Sequence, residues 1–62
     1  MQVICKYQDN VCYIAGNTVY IDYEDGRHTY YADLRDALIV FQHCFPDARI
    51  PGKYQVQTNL KR

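Results

Sequence analysis

Asp-Leu-Arg-Asp-Ala-Leu-Ile-Val-Phe-Gln-His-Cys-Phe, at residues 33–45, is the stretch whose apolar residues recur with the period of an amphipathic helix. At about 100° per residue they follow the i, i+3, i+4, i+7 spacing of a helix that packs one side on a core. Asp33 is placed to cap this helix, Asp36 lies in its first turn, and Pro46 ends it. The apolar stripe consists of Leu34, Ala37, Leu38, Phe41, Cys44 and Phe45.

The residues before the helix alternate between apolar and polar types with period two, which predicts four β-strands. Short polar pairs typical of tight turns separate the strands, and such turns join antiparallel neighbours into a meander. The predicted strands cover residues 2–8, 11–15, 18–24 and 27–31, with turns at Asp9-Asn10, Gly16-Asn17 and Asp25-Gly26.

Two-residue loops at all three turns fix a register for the predicted sheet. This register sets Tyr7 opposite Cys12, Cys12 opposite Ile21, and Ile21 opposite Tyr30. A slip of one residue would exchange the two faces of a strand, so the apolar character of one face supports the assignment. The predicted inner face consists of Val3, Cys5, Tyr7, Cys12, Ile14, Val19, Ile21, Tyr23, His28 and Tyr30.

Beyond the helix, Pro46 to Gly52 is predicted to be a loop, and alternation returns from Lys53 to Leu60. A fifth strand there pairs either with the first strand, antiparallel, or with the fourth strand through a right-handed crossover. We favour the antiparallel pairing because it is the commoner kind. The 62 residues are therefore predicted to form one α+β domain with the element order ββββαβ.

The outer face of the predicted sheet carries a row of tyrosines. One helix covers one face only, so we expect this row to be exposed. Cross-strand aromatic pairs stabilise a sheet by roughly 0.2–1 kcal/mol each, while exposed tyrosines are also typical of protein contact surfaces. The row consists of Lys6, Tyr13, Tyr20 and Tyr31, with Val11, Asp22 and Thr29 in the next row.

Charge and cysteine content limit the kinds of partner and the cellular compartment that we expect. Seven basic and seven acidic residues give a net charge of zero, which removes the general electrostatic argument for nucleic acid or an anionic membrane. An odd number of cysteines, three, without a signal peptide or an apolar run of membrane-spanning length, favours a reducing cytoplasmic environment.

The chain is poor in catalytic chemistry. It contains no serine and no Gly-rich phosphate loop, so we expect no enzyme and no cofactor. Potential nitrogen and sulfur ligands match no standard zinc spacing, and inward-facing thiols act as small hydrophobic groups, so no metal is expected. In the predicted register Cys5 and Cys12 are diagonal neighbours about 7–8 Å apart, too far for a disulfide. The ligand candidates are Cys5, Cys12, His28, His43 and Cys44.

The segment from Tyr31 to Val56 resembles small phage-encoded inhibitor proteins, among them inhibitors of bacterial RNA polymerase and anti-CRISPR proteins. The resemblance lies in the short sheet, the capped helix with Asp36-Ala37-Leu38, the loop with Pro51-Gly52 and the final strand. It is one of topology, so it transfers no contact residues. It implies a compact, non-enzymatic chain that blocks a larger protein complex in a host cytoplasm.

The residues themselves also favour binding over turnover. We expect the tyrosine row to anchor a larger protein, with Lys6 fixing the register and an acidic turn steering toward a basic partner. A homodimer that pairs these faces is the competing interpretation. A second competing interpretation is a single-stranded nucleic-acid binder that stacks nucleobases on the tyrosine rings. We disfavour it because Lys6 is the only basic residue in the row to neutralise phosphate. The predicted contact residues are Lys6, Tyr13, Tyr20, Tyr31, Asp22, Glu24 and Asp25.

Overall fold

The computed structural model describes residues 1–54, in which a four-stranded antiparallel sheet has one helix packed on one face. The strands lie side by side in chain order, so the predicted α+β class, the meander and the helix are confirmed. The elements are β1 (Gln2–Tyr7), β2 (Asn10–Ala15), β3 (Thr18–Asp22), β4 (His28–Tyr31), α1 (Leu34–Cys44) and a short 3₁₀ helix (Gly52–Tyr54).

The central hairpin of β2 and β3 has the predicted register. Ala15 lies opposite Thr18, and Gly16 and Asn17 form the two-residue loop between them. Gly16 adopts a φ of +64°, the left-handed conformation that such a loop requires and that glycine adopts without strain.

The first hairpin turns one residue earlier than predicted, which shifts the pairing of the two strands by two residues. Tyr7 pairs with Asn10 across a Gln8-Asp9 loop, so the predicted pairing of Tyr7 with Cys12 is wrong. Asn10 begins β2 and is not part of the loop. Its side chain is buried, and its Nδ2 donates a hydrogen bond to the Tyr7 carbonyl oxygen at 3.1 Å. A shift of two residues keeps the same face inward.

A β-bulge in β1 changes which residues face the helix. The register shifts between Val3 and Cys5, so that Val3 pairs with Tyr13 on the outer face. Ile4 and Cys5 are then both buried, whereas Val3 is exposed. The prediction that Val3 faces inward is therefore wrong, because the bulge turns two adjacent residues toward the core.

The hairpin of β3 and β4 closes through a loop of three residues. The backbone N–H of Tyr23 donates to the Arg27 carbonyl at 2.8 Å, and that of Gly26 donates to the Tyr23 carbonyl at 3.0 Å. Gly26 has a φ of +95°, as expected for a turn followed by a left-handed residue. Asp25-Gly26 does mark a turn, but the loop also includes Glu24.

The extra loop residue shifts β4 by one position and exchanges its two faces. Ile21 lies opposite Thr29 and not Tyr30. His28 and Tyr30 were predicted to face inward; instead they lie exposed on the outer face. Thr29 and Tyr31 were predicted outside and instead face α1, where Tyr31 packs against the core.

Helix α1 covers the inner face with the predicted stripe. Ala37, Leu38 and Phe41 are buried, and Asp33 occupies the N-cap position without a capping hydrogen bond from its side chain. Cys44 lies at the final turn and is exposed, so its place in the buried stripe is wrong. The buried core consists of Ile4, Cys5, Cys12, Val19, Ile21, Ala37, Leu38, Phe41, Ala48 and Ile50.

The segment after α1 returns against the core. The side-chain amide of Gln42 lies 3.0 Å from the Pro46 carbonyl oxygen and 3.2 Å from that of Ala48, which holds this segment to the helix. Lys53 and Tyr54, the first residues of the predicted fifth strand, lie in the 3₁₀ helix, and the rest of that strand lies outside the described residues.

Candidate functional site

The face of the sheet turned away from α1, here called the outer face, displays two parallel rows of side chains. The observed pairings bring one residue from each strand into each row. The tyrosine row consists of Val3, Tyr13, Tyr20 and Tyr30, and the charged row consists of Lys6, Val11, Asp22 and His28.

The tyrosine row combines a stacked pair with two exposed ends. The rings of Tyr13 and Tyr20 stack with centroids 5.2 Å apart and an interplanar angle of 15°. Tyr30 at the β4 end is 74% exposed, and Val3 at the β1 end is 52% exposed. The stacked pair stabilises the sheet, whereas the two ends offer apolar area that α1 does not cover.

Asp22 is the acidic group of the outer face, and it acts on the tyrosines. Loss of hydration around the ring, and then the negative charge of the Asp22 carboxylate, raise the pKa of Tyr13. The environment thus favours the neutral Tyr13 hydroxyl, which can donate a hydrogen bond to the Asp22 carboxylate. His28 lies directly opposite Asp22 and Lys6 lies in the same row, yet neither forms an ion pair with it within residues 1–54.

The predicted contact residues divide between the outer face and other positions. Lys6, Tyr13, Tyr20 and Asp22 lie on the outer face as expected. Tyr31 does not: it faces the helix side, and its hydroxyl oxygen accepts a hydrogen bond from Thr29 Oγ1 at 3.0 Å. Tyr31 is therefore excluded from the exposed row by the shift in β4.

Sequence reasoning missed Tyr30 and His28 as residues of the exposed surface. Both would have been assigned to the outer face if the third turn had been taken as the three residues Glu24, Asp25 and Gly26. A glycine in the last position of such a loop is the available signal, since that position needs a positive φ.

The acidic loop between β3 and β4 uses its carboxylates within the molecule. Asp25 Oδ1 accepts the Arg27 backbone N–H at 3.0 Å, and Asp25 Oδ2 pairs with Arg27 Nε at 2.8 Å. These contacts, first the backbone hydrogen bond, lower the pKa of Asp25. The Glu24 carboxylate accepts a hydrogen bond from Asn10 Nδ2 at 3.3 Å, and Asn10 Oδ1 accepts the Glu24 backbone N–H at 2.9 Å. The predicted steering charges of this loop are thus partly engaged already.

The buried thiols form a pair in the core. Cys5 lies directly opposite Cys12, so the prediction that they are diagonal neighbours is wrong. Both are free and buried. The hydrogen bond between the thiols and then burial raise the pKa of Cys12, while acceptance of that hydrogen bond lowers the pKa of Cys5. The pair behaves as a packed apolar unit of the core.

The nitrogen and sulfur ligands considered in the sequence do not converge. His28 lies on the outer face, separated by the sheet from Cys5 and Cys12. Across residues 1–54, His, Cys, Asp and Glu side chains form no group of three or more that could hold a metal ion.

A cleft of about 810 Å³ lies between the second half of α1 and the segment that follows it. Leu38 and Ile50 provide apolar lining, and His43, Asp47 and Arg49 stand around it. The Gln42 side-chain amide borders the same cleft and binds the Pro46 and Ala48 carbonyl oxygens.

Comparisons of this chain with protein-family models, with curated proteins and with solved structures find no significant match. In residues 1–54, α1 has 11 residues, and no helix is both long and apolar enough to cross a membrane.

Proposed function

We propose that this protein is a small, non-enzymatic binding module that recognises a larger protein or complex through its outer face. The tyrosine row carries the proposal, because Tyr30 and Val3 leave apolar area exposed at both ends of a rigid aromatic pair. Tyrosine offers large contact area at a low cost in conformational entropy, and it is enriched at the centres of protein interfaces.

Steric blocking is the activity that such a module can perform. The described residues assemble no catalytic pair and no metal-binding group, but they do present one broad face of a stable sheet. We propose that the protein covers a functional surface of its partner, as do the phage-encoded inhibitors of host or defence complexes that the sequence resembles. The cytoplasm is the corresponding place of action.

Substitution of Tyr30 tests the proposal directly. Because its side chain is 74% exposed, Tyr30→Ala removes contact area while leaving the core intact. After affinity capture from the native host identifies a partner, calorimetric titration should show binding weakened by about 2 kcal/mol, or about thirtyfold.

The matched control is Ile39→Ala, because Ile39 is an exposed apolar residue on α1, away from the outer face. Its partner affinity should equal that of the wild type. Unchanged affinity in Tyr30→Ala, and also in the combined alanine variant of Tyr13, Tyr20 and Tyr30, would rule out the outer face as the interface.

Single-stranded nucleic acid is the second candidate, favoured by one observation. The β4 shift places His28 on the outer face, so that two basic side chains, Lys6 and His28, lie beside the tyrosine row. The Asp22 carboxylate lies between these two side chains and would repel a phosphate group. Titration with a fluorescent oligothymidylate at low and moderate salt distinguishes the two functions, since phosphate contacts produce a steep loss of affinity with salt.

A further inference from the structure

The motif Tyr-x-Asp occurs twice in succession, at Tyr20-Ile21-Asp22 and at Tyr23-Glu24-Asp25. The second copy holds an arginine. The Arg27 guanidinium carbon lies 4.7 Å from the centroid of the Tyr23 ring, and Arg27 Nε lies 2.8 Å from Asp25 Oδ2. One tyrosine face and one carboxylate together bind the cation, which is the stacking-plus-pairing arrangement that guanidinium groups favour.

The first copy lies on the outer face without a cation. Tyr20 and Asp22 are two residues apart on β3 and point to the same side, with Cα atoms about 7 Å apart along the strand. Asp22 has the Tyr13 hydroxyl as a hydrogen-bonding neighbour. Lys6 and His28 lie in the same row, and neither forms an ion pair with Asp22 in residues 1–54.

In residues 1–54, the ring that stacks on Tyr20 lies on its β2 side. Tyr13 covers the face toward β2. On the β4 side, Tyr30 is the cross-strand partner, but within the described residues its ring makes no stacking contact with Tyr20. A planar group stacked on the Tyr20 ring would lie within reach of the Asp22 carboxylate, two residues further along the same strand.

We infer that Tyr20 and Asp22 form a receptor for an arginine side chain of the partner protein, as Tyr23 and Asp25 do for Arg27. The inference rests on the proposed function and names the partner's chemistry: a segment that presents an arginine to the outer face. Arginine fits better than lysine because its planar guanidinium stacks on a ring and pairs with a carboxylate through two hydrogen bonds.

The test uses N-acetyl-arginine amide as the probe and backbone amide chemical shifts as the readout, at one fixed pH and ionic strength. Saturable shifts are expected at Tyr20 and Asp22, whereas N-acetyl-citrulline amide, which is neutral but similar in shape, should produce none that saturate. Asp22→Asn should lower the association constant by about tenfold, the loss of one charge-assisted contact. Equal responses to the two probes would overturn the inference.

Asp36→Asn is the matched control, because Asp36 is an exposed carboxylate in the first turn of α1. It should leave the arginine titration unchanged. An equal loss in this variant would show a general charge effect and would also overturn the inference.

Failure of the inference and failure of the proposed function give different results. If Tyr30→Ala weakens partner binding but Asp22→Asn does not, the outer face remains the interface and the arginine receptor is wrong. If the probe binds at Tyr20 and Asp22 but neither substitution affects partner binding, the two residues do bind a guanidinium group. The proposed interface is then wrong, and the inference that they receive an arginine of the partner is wrong with it.

Discussion

The two faces of the sheet use the same residue type in different ways. On the inner face, Tyr31 packs against the core and its hydroxyl accepts a hydrogen bond from Thr29. On the outer face, the neighbouring Tyr30 is 74% exposed and does not pack against the core. Adjacent residues with identical side chains thus differ only in the face to which the strand turns them, so the position of α1 decides which tyrosine packs against the core and which stays exposed.

The largest expected difference between the faces is in stability. Phe41 of α1 is fully buried against the inner face, so Phe41→Ala should lower the free energy of unfolding by about 3–5 kcal/mol. Tyr30→Ala should change it by less than about 0.5 kcal/mol, as expected for an exposed position. Urea denaturation followed by circular dichroism measures both, and a similar loss in the two variants would refute the contrast.

Asn10 holds together the two loops at one end of the sheet. Its side chain is 3% exposed and bonds to both the Tyr7 carbonyl and the Glu24 N–H. Asn10→Ala should cost about 1–3 kcal/mol, since it leaves buried polar groups unpaired. Asn17→Ala, in an exposed loop position, serves as the control in the same denaturation experiment. Equal midpoints for the two variants would contradict this role.

Gly26 sets the loop that turns Tyr30 outward. Its φ of +95° is unfavourable for any residue with a Cβ, so Gly26→Ala should destabilise the protein by about 1–2 kcal/mol. Gly52→Ala is the control, because Gly52 has no positive φ and its added Cβ meets nothing within 4 Å. Thermal unfolding of both variants checks the prediction, which fails if Gly26→Ala melts at the wild-type temperature.

The smallest expected effect is in the titration of Tyr13. Reduced hydration and the charge of Asp22 raise its pKa above 10.0, so its protonated form is favoured by folding. This contribution is complete below the pKa of an unfolded tyrosine and is lost as pH rises through the folded value. Asp22→Asn should shift the titration of Tyr13, followed by the NMR chemical shift of its ring Cζ, to lower pH. A curve that does not move would show that Asp22 does not act on this ring.

Much of the architecture was predictable because it depends on local patterns. The helix stripe follows from residues at a fixed spacing, and its central members Ala37, Leu38 and Phe41 are buried as predicted. The central hairpin follows from Gly16 and Asn17, a pair whose backbone preferences select a two-residue loop. These features require no knowledge of residues far away in the chain.

The candidate site was predictable only in part. Tyr13 and Tyr20 belong to the correctly registered strands β2 and β3, so their shared face could be read from alternation. Tyr31 was assigned in place of Tyr30 because Asp25-Gly26 suits a two-residue loop as well as the end of a three-residue one. The choice between these loops reverses every side chain of β4.

By itself, therefore, the sequence determined the kinds of elements, their order and the apolar stripe of α1, because each depends on the periodicity of neighbouring residues. Only the tertiary structure decided which residues of β1 and β4 face outward. The bulge buries both Ile4 and Cys5, and Asn10 binds Glu24 across two hairpins. Such contacts join residues far apart in the chain, and the sheet adopts the register that satisfies them together.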